Sequence, residues 1–367
     1  MSNILFLLSH QPNPRFIKQI DFLSTNNDIS VLYYHRDSLS DLSYQYKEKC
    51  LINESIGNIQ NGNYIGRIGN YIKSILTLYK IIKNQHFEKI IVNNIDTLFM
   101  YKILTLLSKK QNKIIIEISD LRAHTYKEDL KSIVIRFIEG LIFKTVDKMI
   151  ITSPKFYDLY YKNIFHKRPF ILENKPLNKM IPERLNKIEN EKIIIGIVGM
   201  LLQEKPYEAL FETIKNDKRF EVHIYGKGDY KNLVEKYARK YSNIIYFGEY
   251  NLFQDSARIY ASLDILYMSY DTTNGSLNNK VALPNKLYEA MYFKVPVITS
   301  KDSYLGELVN QYKIGMTFEC CNFNELNATL TELSLNIDQY RQNLELIPED
   351  MYLADNDYKS LEIYLNS

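Results

Sequence analysis

The sequence predicts an α/β protein with two parallel β-sheets, each covered by helices. Short runs of Ile, Val and Leu alternate with segments of helical length along the chain, and this rhythm is typical of βαβ units. Most of the runs are nearly continuous, as expected of strands buried on both faces. After a polar, charged stretch at 177–192 the rhythm begins again. At 367 residues the chain is long enough for two domains.

The predicted strands fall into two sets. The first set lies at 3–9, 28–34, 88–94, 113–119 and 147–153. The second set lies at 192–199, 220–226, 243–249, 263–269 and 295–300. The polar region at 36–69 is predicted to be a long, partly mobile loop. The expected domains are 1–176, 177–347 and a tail at 348–367 with a helix that packs back on the first domain.

Composition excludes several classes of protein. A formal net charge of +3 argues against a dedicated nucleic-acid binder. The three cysteines form no CxxC pattern, which argues against a disulfide framework or structural zinc. The N-terminal apolar run is too short for a signal peptide, and the most apolar segment, 132–152, contains charges that exclude a membrane span. We expect a cytoplasmic protein, either soluble or peripheral at the inner face of the plasma membrane.

The segment "LPNKLYEAMYFKVPVITS", from Leu283 to Ser300, carries the most specific chemistry. Pro284 suits the first position of a helix. Free backbone N–H groups at that end, the helix dipole and the Lys286 ammonium favour a phosphate. Glu289, one turn further on, can accept hydrogen bonds from the hydroxyls of a ribose. The alternative is that Lys286 and Glu289 form a surface pair on a helix that only covers the sheet.

"PNKLYEAM" followed by "PVITS" resembles the donor-site motif of glycosyltransferases with the GT-B fold, in particular the family 4-like enzymes of bacterial capsule and lipopolysaccharide synthesis. "IIIGIVGMLLQEKPYEALFETI", "VHIYGKGDY", "NIIYFGEY" and "YASLDILYMSY" resemble further donor-domain segments of that family in order. "ITSP" with "FILENKP" resembles the end of its acceptor domain. The resemblance implies two Rossmann-like domains that face each other across a cleft, with the acceptor bound by the first and a nucleotide-sugar by the second.

The resemblance also assigns donor-site residues. Gly199 would lie beneath the diphosphate, with Lys205 beside it and Gly226 in the next glycine turn. Lys205 and Lys286 would neutralise the departing diphosphate in place of a metal, so no metal or other cofactor is expected. The remaining donor-binding residues belong to the helical motif: Pro284, Asn285, Lys286, Leu287 and Glu289.

Three positions depart from the family pattern. Val281 stands where the family often has a Glu, and Met200 stands where many members have an Arg. Lys294 replaces the usual Gly at the end of the helix, which costs stability if that residue is left-handed. The missing Glu weakens the prediction of a retaining mechanism.

The acceptor side is less specific. Asp120 and His124 follow the fourth predicted strand, where the family often has a His-Asp pair, and Asp120 could orient or deprotonate the acceptor. Alternatively, Asp120 caps a helix or turn and His124 lies on the surface. Arg15 could reach a phosphate of the donor or of a lipid-linked acceptor, or it could only pair with a carboxylate.

Two further segments admit two interpretations each. Asn274, Ser276 and Asn279 could line or gate the sugar pocket, or belong to a plain flexible loop. Tyr, Phe and basic residues at 155–170 could contact an anionic membrane, although a helix with a solvated basic face explains them at least as well. The "DND" at 355–357 is expected to be a solvated turn rather than a metal site.

The predicted function is metal-independent transfer of a sugar from a UDP- or GDP-sugar to a glycan or lipid-linked acceptor, with retention of configuration. The alternatives are an inverting enzyme or epimerase of the same fold, and an inactive sugar-nucleotide-binding subunit of a transferase complex. A dinucleotide oxidoreductase is unfavoured, because the first turn after a strand lacks G-x-G-x-x-G.

Overall fold

A computed structural model of the protein describes residues 2–36, 41–58, 64–106 and 112–367. The chain forms two compact units. The first comprises Met1–Leu172 together with Asp357–Ser367, and the second is Glu173–Asn356. The predicted domain boundary at 176/177 therefore lies a few residues after the point where the chain leaves the first unit.

The first unit contains a sheet of parallel strands in the order β3-β2-β1-β4-β5-β6-β7. Its strands are β1 (Asn3–Leu8), β2 (Asp28–His35), β3 (Cys50–Asn58), β4 (Lys89–Asn93), β5 (Lys113–Ile118), β6 (Lys148–Ile151) and β7 (Phe170–Ile171). Its helices are α1 (Pro14–Leu23), α2 (Tyr64–Asn84), α3 (Asn94–Leu106), α4 (Leu130–Phe143) and α5 (Pro154–Leu159), and the C-terminal helix returns to it. The central strands β1 and β4 are almost wholly buried, as their continuous apolar sequences require.

The second unit repeats this plan with the strand order β10-β9-β8-β11-β12-β13, again parallel. Its strands are β8 (Ile193–Val198), β9 (Phe220–Tyr225), β10 (Ile244–Gly248), β11 (Ile265–Tyr267), β12 (Val297–Ser300) and β13 (Gly315–Phe318). Its helices are α6 (Glu204–Ile214), α7 (Lys231–Lys240), α8 (Leu252–Ser262), α9 (Leu277–Val281), α10 (Asn285–Phe293), α11 (Tyr304–Tyr312), α12 (Phe323–Leu335) and α13 (Ile337–Glu345).

The strand order reverses once in each sheet, which is the feature that positions a ligand site. In the second unit β8 pairs with β9 on one side and with β11 on the other, so the connection after β8 and the connection after β11 run in opposite directions across the sheet. Open parallel sheets bind ligands beyond the carboxyl ends of the strands at such a point. The loops that follow β8 and β11 therefore define the place to examine.

The predicted fold class is confirmed, with two parallel-sheet α/β units. The prediction missed β3, β7 and β13, which are all edge strands. The loop predicted at 36–69 is wrong, because it contains β3 and the start of α2, while residues 37–40 and 59–63 of that region lie outside the described residues.

The tail forms α14 (Asp355–Asn366), which packs on the first unit. Tyr358 is buried against Phe22 of α1, with ring centroids 5.5 Å apart. Lys89 Nζ donates to Asn366 Oδ1 at 2.6 Å. The "DND" at 355–357 begins this helix, so the solvated turn predicted there is wrong. No described helix combines the length and apolar character that crossing a bilayer requires.

Candidate functional site: the loops of the second sheet

Helix α10 begins one residue later than predicted. Pro284 has an extended backbone, with φ −76° and ψ 146°, and serves as the N-cap, so Asn285 is the first helical residue. The side chain of Leu287 is fully buried in the core, and its N–H donates to Pro284 O at 3.1 Å. Asn285 is exposed. No side chain of the described residues caps this end of the helix.

Lys286 and Glu289 form an ion pair, but not on the surface. Lys286 Nζ lies 2.7 Å from Glu289 Oε2, and the side chains are 17% and 6% exposed. The alternative of a solvated surface pair therefore does not describe this contact. Tyr260 donates to the same carboxylate oxygen at 2.8 Å, and Lys286 donates to the hydroxyl oxygen of Tyr250 at 2.8 Å.

This arrangement keeps Lys286 charged. Burial alone would lower the pKa of Lys286, but the carboxylate of Glu289 and the hydroxyl of Tyr250 outweigh it and raise the pKa above its usual value. Burial also raises the pKa of Tyr250, against the opposing effect of the nearby ammonium. The first turn of α10 therefore holds a permanent, largely buried cation that is already hydrogen-bonded on two sides.

Glycine turns after the strands bring backbone close to this cation. Gly199 follows β8 with φ +118°, and a Cβ placed on it would lie 3.1 Å from Cε of Lys286. Gly226 follows β9 with φ +142°, and a Cβ there would lie 1.7 Å from the carbonyl oxygen of Gly199. Only glycine fits both the positive φ and the close approach. Gly199, Gly226 and Lys286 are thus brought together as the sequence predicted.

Lys205 lies in the first turn of α6, on the loop that follows β8. Its side chain is 59% exposed, and Nζ lies 3.6 Å from Oδ2 of Asp271, which follows β11. Gln203 joins the same two loops, because its Oε1 accepts from the N–H of Asp271 at 2.9 Å. Burial would raise the pKa of Asp271, but hydrogen bonds from Thr273 and the charge of Lys205 lower it overall. Lys205 is therefore paired with a carboxylate that the sequence prediction did not single out.

The predicted sugar-pocket residues stabilise their own loop. Asn274 Oδ1 accepts from the N–H of Ser276 at 2.9 Å, and the hydroxyl of Ser276 accepts from the N–H of Asn279 as the N-cap of α9. Asn279 Nδ2 donates to the carbonyl of Asp271 at 2.9 Å. These bonds give the loop after β11 a defined conformation, and one of them ties α9 back to Asp271, the carboxylate that pairs with Lys205.

In the first unit, Arg15 is buried in an ion pair. Its Nε donates to Glu117 Oε1, and its Nη1 donates to Leu172 O at 3.0 Å. Gln19 Nε2 also donates to Glu117, at 2.8 Å. Arg15 is 4% exposed and Glu117 is fully buried. Of the two interpretations of Arg15, the pairing with a carboxylate describes the contacts that it makes in the structure.

His124 belongs to a buried polar cluster rather than to the surface. Its Nε2 lies 3.1 Å from Glu139 Oε2, and Tyr160 donates to the same oxygen at 2.6 Å. Glu139 is 1% exposed on α4. Asp120 is exposed just after β5. The residue that caps α4 is Asp129, which accepts from the N–H of Ser132 at 2.8 Å.

The prediction missed four residues of these clusters. Tyr250 and Tyr260 gave no signal, because Tyr is abundant in this chain and their contacts are long-range. Glu139 had one signal, a carboxylate inside an apolar helical run, and Asp271 had another, a carboxylate directly after a buried strand. No three His, Cys, Asp or Glu side chains of the described residues converge as a metal site.

Two parallel-sheet units, with glycine turns and a buried cation after the strands of the second, define the class of protein. Solved structures share this architecture over nearly all of the chain. The complex of Anabaena HepE with UDP and glucose has a TM-score of 0.70 at 13% identity and covers all of both chains. The lipopolysaccharide outer core galactosyltransferase WaaB has a TM-score of 0.66 at 13% identity, with 99% of each chain covered. The protein has the GT-B fold of glycosyltransferases.

Sequence comparison relates most of the second unit to a known family. Residues 181–345 match the family described as glycosyl transferases group 1. The chain is also 23% identical over 297 residues to the succinoglycan biosynthesis protein ExoL of Rhizobium meliloti (strain 1021), with 77% of this chain and 73% of that protein covered. Residues 181–345 of the second unit are thus similar to a glycosyl transferases group 1 domain, in a chain that has the GT-B fold. The closer likeness to family 4 stays a prediction.

Proposed function

We propose that the protein transfers a sugar from a UDP- or GDP-sugar to a glycan or lipid-linked acceptor in the synthesis of a cell-surface polysaccharide. The observation that carries the proposal is the contact of Lys286 with Gly199, a cation held over a glycine turn where the strand order reverses. A diphosphate suits that place, because backbone N–H groups and a fixed cation both favour an anion. ExoL and WaaB are named for roles in polysaccharide and lipopolysaccharide synthesis, which supports the proposed pathway class.

In the proposed reaction the bond between the anomeric carbon and the diphosphate oxygen breaks, and its electron pair leaves on the diphosphate. Lys286 and the exposed Lys205 stabilise that developing charge without a metal. The acceptor hydroxyl forms the new bond, and Asp120 is proposed to take its proton. Retention of configuration is proposed from the family 4 likeness.

Glu289 is proposed to recognise the hydroxyls of the donor ribose. Its Oε2 already accepts from Lys286 and from Tyr260, so recognition of a hydroxyl is assigned to the other carboxylate oxygen. The same pairing keeps the carboxylate in position before the donor arrives, which reduces the entropy lost on binding. Glu289 therefore has a positioning contact with Lys286 as well as a proposed binding role.

Nucleotide binding and transfer test this proposal separately. The full chain is titrated with UDP, GDP, CMP and their sugars by calorimetry, and sugar transfer is followed with the anomer of the product determined. Lys205→Ala should weaken diphosphate binding, whereas Lys231→Ala should not. Lys231 is the matched control, since it is also about half exposed and also forms a 3.6 Å ion pair, with Glu235.

Three outcomes bear on the proposal. Binding of UDP or GDP with transfer, lost in Lys286→Ala, supports it; the expected loss in kcat is about 2–4 kcal/mol of transition-state stabilisation. Binding without transfer or hydrolysis would favour the inactive subunit. Failure of every nucleoside diphosphate to bind would overturn the assignment of the site.

A further inference from the structure

Helix α4 presents its apolar side chains outward. The buried positions within Leu130–Phe143 are Ser132, Glu139 and Phe143, so two of the three inward side chains are polar. The outward face carries large apolar side chains, with Leu130 78% and Phe137 68% exposed. A helix that only covers a sheet shows the opposite arrangement, with its apolar stripe toward the core.

The exposed side chains form one continuous stripe. They recur at the spacing of successive helical turns, which places them on one side of α4 from its first turn to its last. The members of this α4 stripe are Leu130, Ile133, Val134, Phe137, Ile138 and Leu141, each at least 41% exposed. A continuous exposed apolar patch that runs along a whole helix marks an interaction surface on proteins that are otherwise soluble.

The neighbouring helix α3 extends the apolar surface. Phe99 and Ile103 of α3 are 48% and 38% exposed. Between the two helices lies a cavity of about 470 Å³ lined mainly by Ile, Phe and Met, with Asp96 and Glu139 as its acidic members. The α4 stripe and this groove together offer apolar surface on two adjacent helices.

Cations lie on the other side of the stripe. A second cavity, of about 510 Å³, joins α4 to the segment Tyr160–Arg168 and is lined by Arg136, Lys144 and Lys167 among others. Tyr160–Arg168 carries three Lys and Arg residues and no carboxylate. Its aromatic side chains, including Tyr161 and Phe165, are buried, so this segment supplies charge and α4 supplies the apolar surface.

We propose that the α4 stripe docks the first unit on the surface of a membrane that contains anionic phospholipids. An apolar stripe beside clustered cations is the chemistry that inserts into the headgroup region of an anionic bilayer. A second copy of the chain fits less well, because a two-fold contact through α4 would bring the same cations of both copies together. One of the two interpretations of residues 155–170 was contact with a membrane. The apolar part of the proposed surface lies on α4 instead.

This inference deepens the proposed function. Only the biological purpose of the docking rests on that function. A lipid-linked acceptor is confined to a membrane surface, so docking converts the search for it from three dimensions to two. The physical basis of the inference, exposed apolar side chains beside cations, does not depend on the identity of the donor or the acceptor.

Vesicle sedimentation of the full chain tests the inference. Vesicles contain phosphatidylglycerol and phosphatidylcholine in equal amounts, or phosphatidylcholine alone. The α4 variant combines Leu130→Gln, Phe137→Gln and Leu141→Gln, three exposed positions at which the fold is expected to be retained. The matched control combines Leu335→Gln and Leu346→Gln, which remove apolar side chains that are each 80% exposed in the second unit.

The expected result is binding of the wild type to the anionic vesicles, weakened about tenfold or more in the α4 variant and unchanged in the control. Replacing Lys162 and Arg168 by Gln should lower the preference for anionic vesicles. The inference is overturned if the wild type does not bind, if the α4 variant binds equally well, or if sedimentation velocity shows a dimer that only the α4 variant loses. Nucleotide binding without vesicles is measured in parallel, so failure of docking is distinguishable from failure of the proposed function.

Discussion

The buried pair of Lys286 and Glu289 supports a quantitative prediction about stability. At 2.7 Å, with side chains 17% and 6% exposed, each charge depends on the other for much of its solvation. Removing one partner of a buried pair costs about 3–5 kcal/mol, because it leaves the other charge uncompensated. We expect Glu289→Gln and Lys286→Met each to lower the free energy of unfolding of the second unit by about 3 kcal/mol. The loss of free energy of unfolding in the double variant should be smaller than the sum of the two single losses by about 1.5–3 kcal/mol.

A matched cycle on α7 provides the comparison. Lys231 and Glu235 form an exposed i,i+4 pair at 3.6 Å, for which a coupling of about 0.3–0.5 kcal/mol is expected. Urea unfolding gives the overall stability, and hydrogen exchange of the α10 amides reports on the second unit separately. A coupling between Lys286 and Glu289 no larger than that of the α7 pair would refute the reasoning, because the pair would then be solvated.

The sign of the pH dependence follows from the raised pKa of Lys286. The stabilisation of the folded protein by the charged Lys286 is complete below the usual lysine pKa of 10.5. It is lost only as the pH rises through the still higher pKa of the folded protein. The coupling measured near neutral pH should therefore be unchanged at a pH of about 9.

Three further outcomes are expected. Gly226→Ala should destabilise the second unit by about 3 kcal/mol or more in urea unfolding, since the new Cβ would lie 1.7 Å from a backbone carbonyl oxygen; Gly248→Ala, which meets no atom within 4 Å, should cost only about 1 kcal/mol. Lys313→Gly should raise the free energy of unfolding by about 0.5–1 kcal/mol, because glycine adopts the left-handed backbone of this position without strain. Lys294→Gly should raise it by less, because it also removes a 2.8 Å hydrogen bond to a backbone carbonyl. Burial raises the pKa of Cys321 to about 12, so its alkylation near neutral pH should be about tenfold or more slower in the folded protein than in urea, as followed by mass spectrometry; equal rates would contradict the burial.

The sequence predicted the strands that are buried on both faces and one edge strand, β10, but it missed the other three edge strands. β3 has mostly half-buried or exposed positions, and β7 has two residues, so neither shows a continuous apolar run. β13 reads GMTF, with a Gly and a Thr where a central strand has Ile or Val. Edge strands need only one paired side, and their sequences carry correspondingly little signal.

The candidate site was predictable where it depends on local spacing. Lys286 and Glu289 are three residues apart on one helix, and Gly199 ends a recognisable strand. The partners of these residues come from distant parts of the chain, so no local pattern reveals them. Tyr260 meets Glu289 across 29 positions, and Asp271 meets Gln203 across 68. Arg15 shows the same limit, because its partner Glu117 lies 102 positions away and the sequence left both interpretations of Arg15 open.

The return of α14 to the first unit sets the order in which the protein can be completed during synthesis. Glu173–Asn356 is contiguous and can fold as soon as it leaves the ribosome, whereas the first unit waits for Asp357–Ser367. Until these residues have been synthesised, the surface that receives Tyr358, Leu361 and Leu365 is uncovered. Loss of residues 357–367 alone would therefore damage the unit that was made first.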